Sequence, residues 1–137
     1  MKIRKAVLPV AGMGTRFFPA TKVVPKELLP VGNKPVIQWL AEEAAASGIE
    51  EIIFVISPDK ELIRAHFSPQ PELEARLLAR GKKELLKTLQ PIHALARFTY
   101  VIQPEPLGDG DAVLRAEAAV GDEPFLILFG DDLVKSA

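Results

Sequence analysis

Two glycines separated by one residue follow the first apolar segment of the chain. Residues 6–10 predict a buried strand, and Gly12 and Gly14 come directly after it. Glycine adopts backbone angles that other residues avoid and lets a ligand approach the main chain, and a turn after a strand leaves N–H groups that can donate to phosphate. Arg16 adds a planar guanidinium suited to phosphate oxygens, and Lys26 adds a compact ammonium. This combination predicts a triphosphate-binding turn.

The charge distribution argues against the simpler interpretation, a tight turn that binds nothing, which is common for a Gly-x-Gly after one strand. The first 35 residues contain seven basic side chains and one acidic one, Glu27, although the net charge of the chain is −1. The basic residues are Lys2, Arg4, Lys5, Arg16, Lys22, Lys26 and Lys34. Their clustering favours an anionic partner. Three prolines in residues 17–31 predict a stiff loop over the site in place of a regular helix.

Predicted strands and helices alternate along the sequence. Apolar, β-branched runs predict strands at residues 6–10, 51–57, 98–103 and 124–129. Apolar spacing predicts helices at residues 34–47, 59–67, 72–90 and 111–119. The third helix is either continuous or broken at Gly81. The alternation predicts an α/β fold with a doubly wound, mainly parallel sheet and right-handed crossovers.

Chemically suggestive residues follow three of these strands, at the carboxyl edge where such sheets bind ligands. The first strand leads into the glycine turn, the third into Gln103, and the fourth into Asp131 and Asp132. Carboxylates opposite a basic loop are suited to holding Mg²⁺ against phosphates. Because neighbouring residues of an extended strand point to opposite sides, we expect only one aspartate to bind the metal. A polar turn that closes the strand is the alternative interpretation.

Gln103 and the glycines after it are candidates for recognising a base. The amide of Gln103 offers a donor and an acceptor, and Gly108 and Gly110 would let backbone groups approach a base edge. A plain loop before a helix is the simpler interpretation. His66 and His93 are isolated in the sequence, so we assign neither of them a metal-binding or catalytic role.

Length and composition exclude several classes of protein. With 137 residues the chain is long enough for one compact core and short for two domains. The absence of cysteine excludes disulfides and cysteine zinc sites and suits a cytoplasmic protein. No segment approaches the roughly 20 apolar residues that span a bilayer, and one local basic cluster gives no reason to expect nucleic acid. We therefore expect neither a membrane nor a nucleic acid as partner.

Several segments carry a family resemblance that spans essentially the whole chain. They are residues 5–16, 18–22, 25–30, 33–38 and 121–124. In these segments the chain resembles bacterial UTP–glucose-1-phosphate uridylyltransferases, the UDP-glucose pyrophosphorylases. The Pro-Val-Ala-Gly sequence that begins at Pro9 and the Pro-Ala-Thr-Lys sequence that begins at Pro19 distinguish this branch from thymidylyl and adenylyl relatives.

The resemblance implies a Rossmann-like nucleotidyltransferase fold and a Mg²⁺-dependent reaction of UTP with glucose 1-phosphate in the cytoplasm. By motif position, it implies nucleotide contacts from Ala11, Gly12, Gly14, Thr15 and Arg16. It also implies that Lys26 meets the phosphates, that Gln103 and Gly108 meet the uracil, and that Asp131 holds magnesium. Arg16 and Lys26 are the implied catalytic residues, because they would steady the departing pyrophosphate.

The chain departs from the family in two respects. Residues 108–112 read Gly-Asp-Gly-Asp-Ala, where familiar members often read Gly-Leu-Gly-His-Ala. Family enzymes also continue well beyond the position of Asp131, into the half that holds most of the sugar-phosphate site. We therefore expect residues 1–137 to be a single UTP-binding domain, truncated before the C-terminal sugar-binding half. Exposed sheet edge would then favour homo-oligomers or binding of the missing half.

Two other functions remain open at this point. A non-catalytic nucleotide-binding or assembly module, or an inactive fragment, would keep the fold without the chemistry. An NAD-type dinucleotide-binding domain is disfavoured, because Phe17 stands where Gly-x-Gly-x-x-Gly requires its third glycine.

Overall fold

A computed structural model of the chain describes residues 2–129. The described strands are β1 (Lys5–Pro9), β2 (Pro30–Val31), β3 (Lys34–Pro35), β4 (Glu51–Ile56), β5 (Arg97–Ile102) and β6 (Phe125–Ile127). The described α-helices are α1 (Val36–Ala46), α2 (Glu61–His66), α3 (Pro71–Ala79), α4 (Lys83–Leu89), α5 (Asp109–Arg115) and α6 (Glu117–Val120).

Four of these strands form a parallel sheet in the order β5-β4-β1-β6. Ala6 lies opposite Ile52 on one side and Leu126 on the other, so β1 is paired along both edges. The chain leaves β1 towards β4 and β5 and then returns to the far side of β1 as β6. The strand order therefore reverses beside β1, which is where an open α/β sheet forms its ligand crevice.

The sheet is covered by helices on both faces. On one face Leu8 and Phe54 are fully buried in a core with α1 and α2. On the other face Val7 and Ile53 are fully buried against α5 and α6. Because residues of a strand alternate between faces, the unbroken apolar sequence of β1 and β4 supplies both cores. The predicted doubly wound, mainly parallel α/β fold is confirmed.

The structure differs from the predicted elements mainly at their ends. For residues 72–90 the second of the two predicted alternatives is confirmed: α3 and α4 are separate helices on either side of Gly81, whose φ of +70° favours glycine. The predicted helix at residues 34–47 begins at Val36, because Lys34–Pro35 pairs with Pro30–Val31 in a small antiparallel hairpin. The hairpin was not predicted.

The proline-rich loop contains no α-helix, as predicted. Short 3₁₀ turns at Thr15–Phe17 and Lys26–Leu28 interrupt it, and the Phe18–Pro19 peptide bond is cis. Within residues 2–129, every helix is too short or too polar to cross a bilayer.

The partly buried His66 should make the stability of this fold depend on pH. Its Nε2 lies 2.8 Å from the Gln38 Oε1, and burial lowers the pKa of His66 below its ordinary value. The unfolded chain then binds the extra proton more readily than the native protein, so the free energy of unfolding falls as pH drops below about 6.5. We expect His66→Gln to flatten this fall, measured as the urea midpoint between about pH 7 and pH 5.

The exposed His93 provides the matched control for this experiment. His93→Gln should leave the pH dependence of the urea midpoint as it is in the unaltered chain. A profile that changes equally in both variants would contradict the assignment to His66.

Candidate functional site

The turn after β1 (residues 11–16, the glycine turn) is held at both of its ends. Val10 N donates to the carbonyl of Val55 at 2.9 Å and so continues the β1–β4 pairing into the turn. Gly14, at φ +67°, accepts a hydrogen bond from the Thr21 hydroxyl at 2.6 Å. The following loop is thereby fastened to the glycine turn by its own side chain.

The two glycines of the turn have different surroundings. A Cβ added to Gly14 would lie 3.3 Å from the Lys26 Cβ and 3.5 Å from the Thr21 Cβ, whereas a Cβ added to Gly12 would meet no atom within 4 Å. Gly14 therefore permits close packing inside the protein. Gly12 instead leaves its main chain open to a ligand.

A buried ion pair lies beneath the turn. The Lys60 ammonium donates to the Glu27 carboxylate at 2.8 and 3.1 Å and to the Val10 carbonyl at 2.6 Å. The Glu27 side chain is fully buried, and that of Lys60 is 7% exposed. The pair joins the end of β1, the proline-rich loop and the residue that precedes α2.

A cavity of about 300 Å³ opens at the carboxyl ends of three parallel strands. The glycine turn contributes Ala11 and Gly12, the segment after β4 contributes Lys60, and the segment after β5 contributes Gln103. Lys22 of the proline-rich loop also lines it. A smaller cavity of about 80 Å³ lies next to it, lined by Gly12, Lys26, Glu27 and Asp109 among others.

These two cavities bring together only some of the predicted site residues. Ala11, Gly12 and Gln103 line the larger one, and Lys26 lines the smaller one. The predicted residues that line neither are Gly14, Thr15, Arg16 and Gly108. Of these, Thr15 and Arg16 are exposed on a 3₁₀ turn, and Gly14 packs inside the loop.

The predicted metal ligand Asp131 and its neighbour Asp132 lie outside the described residues. Within residues 2–129, no three acidic or histidine side chains converge in a way that could hold a metal ion.

The amide of Gln103 is held from two sides. Its Nε2 donates to the Asp111 Oδ2 at 2.9 Å and to the Gly108 carbonyl at 3.2 Å. The hydrogen bond from Gln103 holds the pKa of Asp111 below its ordinary value; burial raises that pKa, and the nearby guanidinium of Arg115 lowers it again. Asp111 is therefore ionised at neutral pH and can only accept hydrogen bonds.

Fewer basic side chains lie near the glycine turn than the count of seven in the first 35 residues indicates. Four of the seven pair with carboxylates elsewhere: Lys2 with Glu50, Arg4 and Lys5 with Glu123, and Lys34 with Glu42. Lys2, Arg4 and Lys5 precede or begin β1, at the opposite edge of the sheet from the turn. The basic residues on the loop beside the cavities are Arg16, Lys22 and Lys26.

The structure also shows residues that sequence reasoning missed. Lys60 had no predicted role, although a lone acid in a basic loop, Glu27, called for a cationic partner. Asp111 was noted only as a departure from the family sequence. The Lys60–Glu27 contact has no local pattern, because the two residues are 33 positions apart. Asp111 lies only 8 positions from its partner Gln103.

Comparison with known proteins decides the family. The family model for nucleotidyl transferases matches residues 5–137. The chain belongs to the nucleotidyl transferase family. This nucleotidyltransferase chain is 54% identical over 135 residues to the UTP–glucose-1-phosphate uridylyltransferase YngB of Bacillus subtilis (strain 168), covering 98% of the chain and 46% of that protein.

Solved structures of the same family share this fold. A UTP-bound UGPase from Acinetobacter baumannii aligns with a TM-score of 0.91 and 43% identity, covering 99% of the chain and 48% of that structure. A UDP-glucose pyrophosphorylase complexed with UDP-glucose aligns with a TM-score of 0.77 and 37% identity, covering 95% of the chain and 46% of that structure. The predicted family is confirmed, and the nucleotidyltransferase chain spans about half the length of these relatives.

Lys60→Met tests the buried ion pair. The change leaves the Glu27 carboxylate and the Val10 carbonyl buried without their donor, and such a loss costs about 3–5 kcal/mol of unfolding free energy. We expect a corresponding drop in the urea midpoint. The double variant Glu27→Leu/Lys60→Met should lose less unfolding free energy than the sum of the two single variants. Each single variant leaves one buried charge without its partner, whereas the double variant leaves none.

Lys87→Met is the control, since Lys87 and its partner Glu84 are 72% and 85% exposed. This variant should unfold at nearly the midpoint of the unaltered chain. If Lys60→Met and Lys87→Met lowered the urea midpoint equally, burial of the Lys60–Glu27 pair would not contribute to the stability of the fold.

Proposed function

We propose that the chain is the nucleotide-binding part of a Mg²⁺-dependent UTP–glucose-1-phosphate uridylyltransferase, which forms UDP-glucose and pyrophosphate. The observation that carries the proposal is the cavity at the carboxyl edge of the sheet, which is lined both by Gly12, with its open main chain, and by Gln103. Membership of the nucleotidyl transferase family and the names of the relatives support it.

The groups that we propose to bind the phosphates and the base follow two different strands. Gly12 follows β1, and its exposed backbone is suited to the triphosphate. Arg16 and Lys26 lie on the same loop and would steady the departing pyrophosphate. Gln103 follows β5 and would meet the uracil.

The reaction requires little acid–base chemistry from the protein. The phosphate of glucose 1-phosphate is already an anion at neutral pH, and one of its oxygens attacks the α-phosphorus of UTP. The bond from that phosphorus to the bridging oxygen breaks, and pyrophosphate leaves with the electron pair. The protein must align two polyanions and neutralise charge as it moves to the leaving group.

Asp131 is the proposed ligand of Mg²⁺, with Asp132 beside it in sequence. Both are carboxylates, the donors that Mg²⁺ prefers. They follow β6, which pairs with β1, the strand that leads into the glycine turn. Bound Mg²⁺ would neutralise phosphate charge at the reacting centre.

We place the enzyme in the cytoplasm and propose that its exposed sheet edge binds a second copy or the half that holds the sugar phosphate. Support for a covering partner comes from β6, where Phe125, Leu126 and Ile127 are each more than a third exposed. A nucleotide-binding module without activity is the second candidate, because the proposed catalytic residue Arg16 lines neither cavity. Saturable UTP binding without turnover would favour that candidate.

A matched pair of glycine changes separates binding from packing. Gly12→Ala places a methyl group in open space where the ligand main-chain contact is proposed. We expect an unchanged urea midpoint and UTP affinity weakened at least about tenfold, or ~1.4 kcal/mol, by calorimetric titration with Mg²⁺.

Gly14→Ala, unlike Gly12→Ala, should destabilise the fold. Its φ of +67° and the close Lys26 Cβ oppose a methyl group, so the unfolding free energy should fall by more than about 1 kcal/mol. If Gly12→Ala bound UTP as well as the unaltered chain, the triphosphate would not lie against this turn.

Lys26→Ala tests the proposed phosphate contact. In a version extended to the full length of its relatives, this change should reduce turnover by about 10²–10³, as expected when one preorganised transition-state contact is removed. Pyrophosphate release is the measurement. Lys82→Ala, at an exposed lysine between α3 and α4, is the control and should leave turnover unchanged. Near-normal turnover with Lys26→Ala would contradict its role.

A further inference from the structure

Both amide hydrogens of Gln103 are committed to acceptors of the protein. The residue is 3% exposed, and its backbone N–H continues the sheet by donating to the Ile56 carbonyl at 2.8 Å. Its Nε2 donates to the Asp111 Oδ2 at 2.9 Å and to the Gly108 carbonyl at 3.2 Å. An amide rotated by half a turn would place its oxygen against these two acceptors.

The amide oxygen of Gln103 is therefore the atom presented to the cavity. Within residues 2–129, no group donates a hydrogen bond to Oε1, and no fully buried side-chain oxygen lacks a partner. Oε1 must then reach solvent, and the cavity of about 300 Å³ is the space that Gln103 lines. A ligand in this cavity meets a fixed hydrogen-bond acceptor at Gln103.

We propose that Asp111 is a positioning residue that fixes the Gln103 amide and so makes the cavity select a base with an imide N–H. Uracil and thymine carry this donor at N3, whereas cytosine carries an unprotonated acceptor at the same position. The base preference rests on the proposed nucleotide-binding function. The orientation of the amide stands on the structure of the chain alone.

The ionised Asp111 carboxylate gives the shorter of the two hydrogen bonds that orient the Gln103 amide, and the Gly108 carbonyl gives the longer one. An ionised carboxylate accepts hydrogen bonds and never donates them, and the Arg115 Nε lies 3.4 Å from the same Oδ2. In an Asp111→Asn variant the new side chain would have the same shape but could offer either an oxygen or an NH₂ group. The Gln103 amide could then turn over, with loss of its hydrogen bond to the Gly108 carbonyl, and present a donor to the cavity.

Nitrogen-15 NMR of the ligand-free chain tests the contact itself. We expect the Gln103 side-chain amide signals to shift as Asp111 is protonated in acid, and Asp111→Asn to abolish that shift. Asp122→Asn, at an exposed loop aspartate, should leave it in place. A Gln103 amide that is insensitive to Asp111 would overturn this proposal without affecting the proposed UTP site.

Titration with UTP and CTP in the presence of Mg²⁺ tests the consequence. Asp111→Asn should reduce the preference for UTP over CTP about tenfold, because a donor can now face the cytosine N3. Equal weakening of both nucleotides would show that Asp111 merely supports the loop and would overturn the proposal. Failure of the unaltered chain to bind either nucleotide would overturn the proposed function and the base preference together, and the NMR measurement would still judge the contact.

Discussion

The position of the whole site depends on one buried ion pair. Lys60 and Glu27 are removed from water, and an unpaired charge there would be strongly unfavourable. Their hydrogen bonds, together with that from Lys60 to the Val10 carbonyl, bring three distant segments to one point. Val10 lies two residues before Gly12, and Glu27 follows Lys26. The pair thus sets where the open backbone of Gly12 and the proline-rich loop lie relative to the sheet.

The parallel sheet explains why this point became a cavity. β1 and β4 lie in the interior of the strand order, so their side chains fill cores on both faces and their ends are fixed. The strand order reverses beside β1, and the connections leave in opposite directions, which opens a crevice at the carboxyl edge. Segments after β1, β4 and β5 all line it. The fold supplies the location, and the loops supply the chemistry.

Local patterns in the sequence predicted the parts of this fold that local physics determines. Strands β1 and β4 are short apolar runs, Gly81 marks the break between α3 and α4, and Gly14 marks a left-handed backbone in the turn. The partners Lys60 and Glu27 could not be paired in this way, because tertiary packing alone brings them together. For the same reason the charge argument was wrong about Lys34, whose partner Glu42 emerged only in the folded chain.

Two acidic side chains near the cavities serve as internal anchors. Glu27 is neutralised by Lys60, and Asp111 is engaged with Gln103 and Arg115. Both carboxylates, which would otherwise repel a polyanion, are therefore compensated by donors of the protein. The basic residues of the proline-rich loop lie beside these two anchors, although Asp59 and Asp109 also line the cavities. A local field of this kind favours an anion although the net charge of the chain is −1. The arrangement of charge, more than its total, supports the proposal that the site binds a triphosphate.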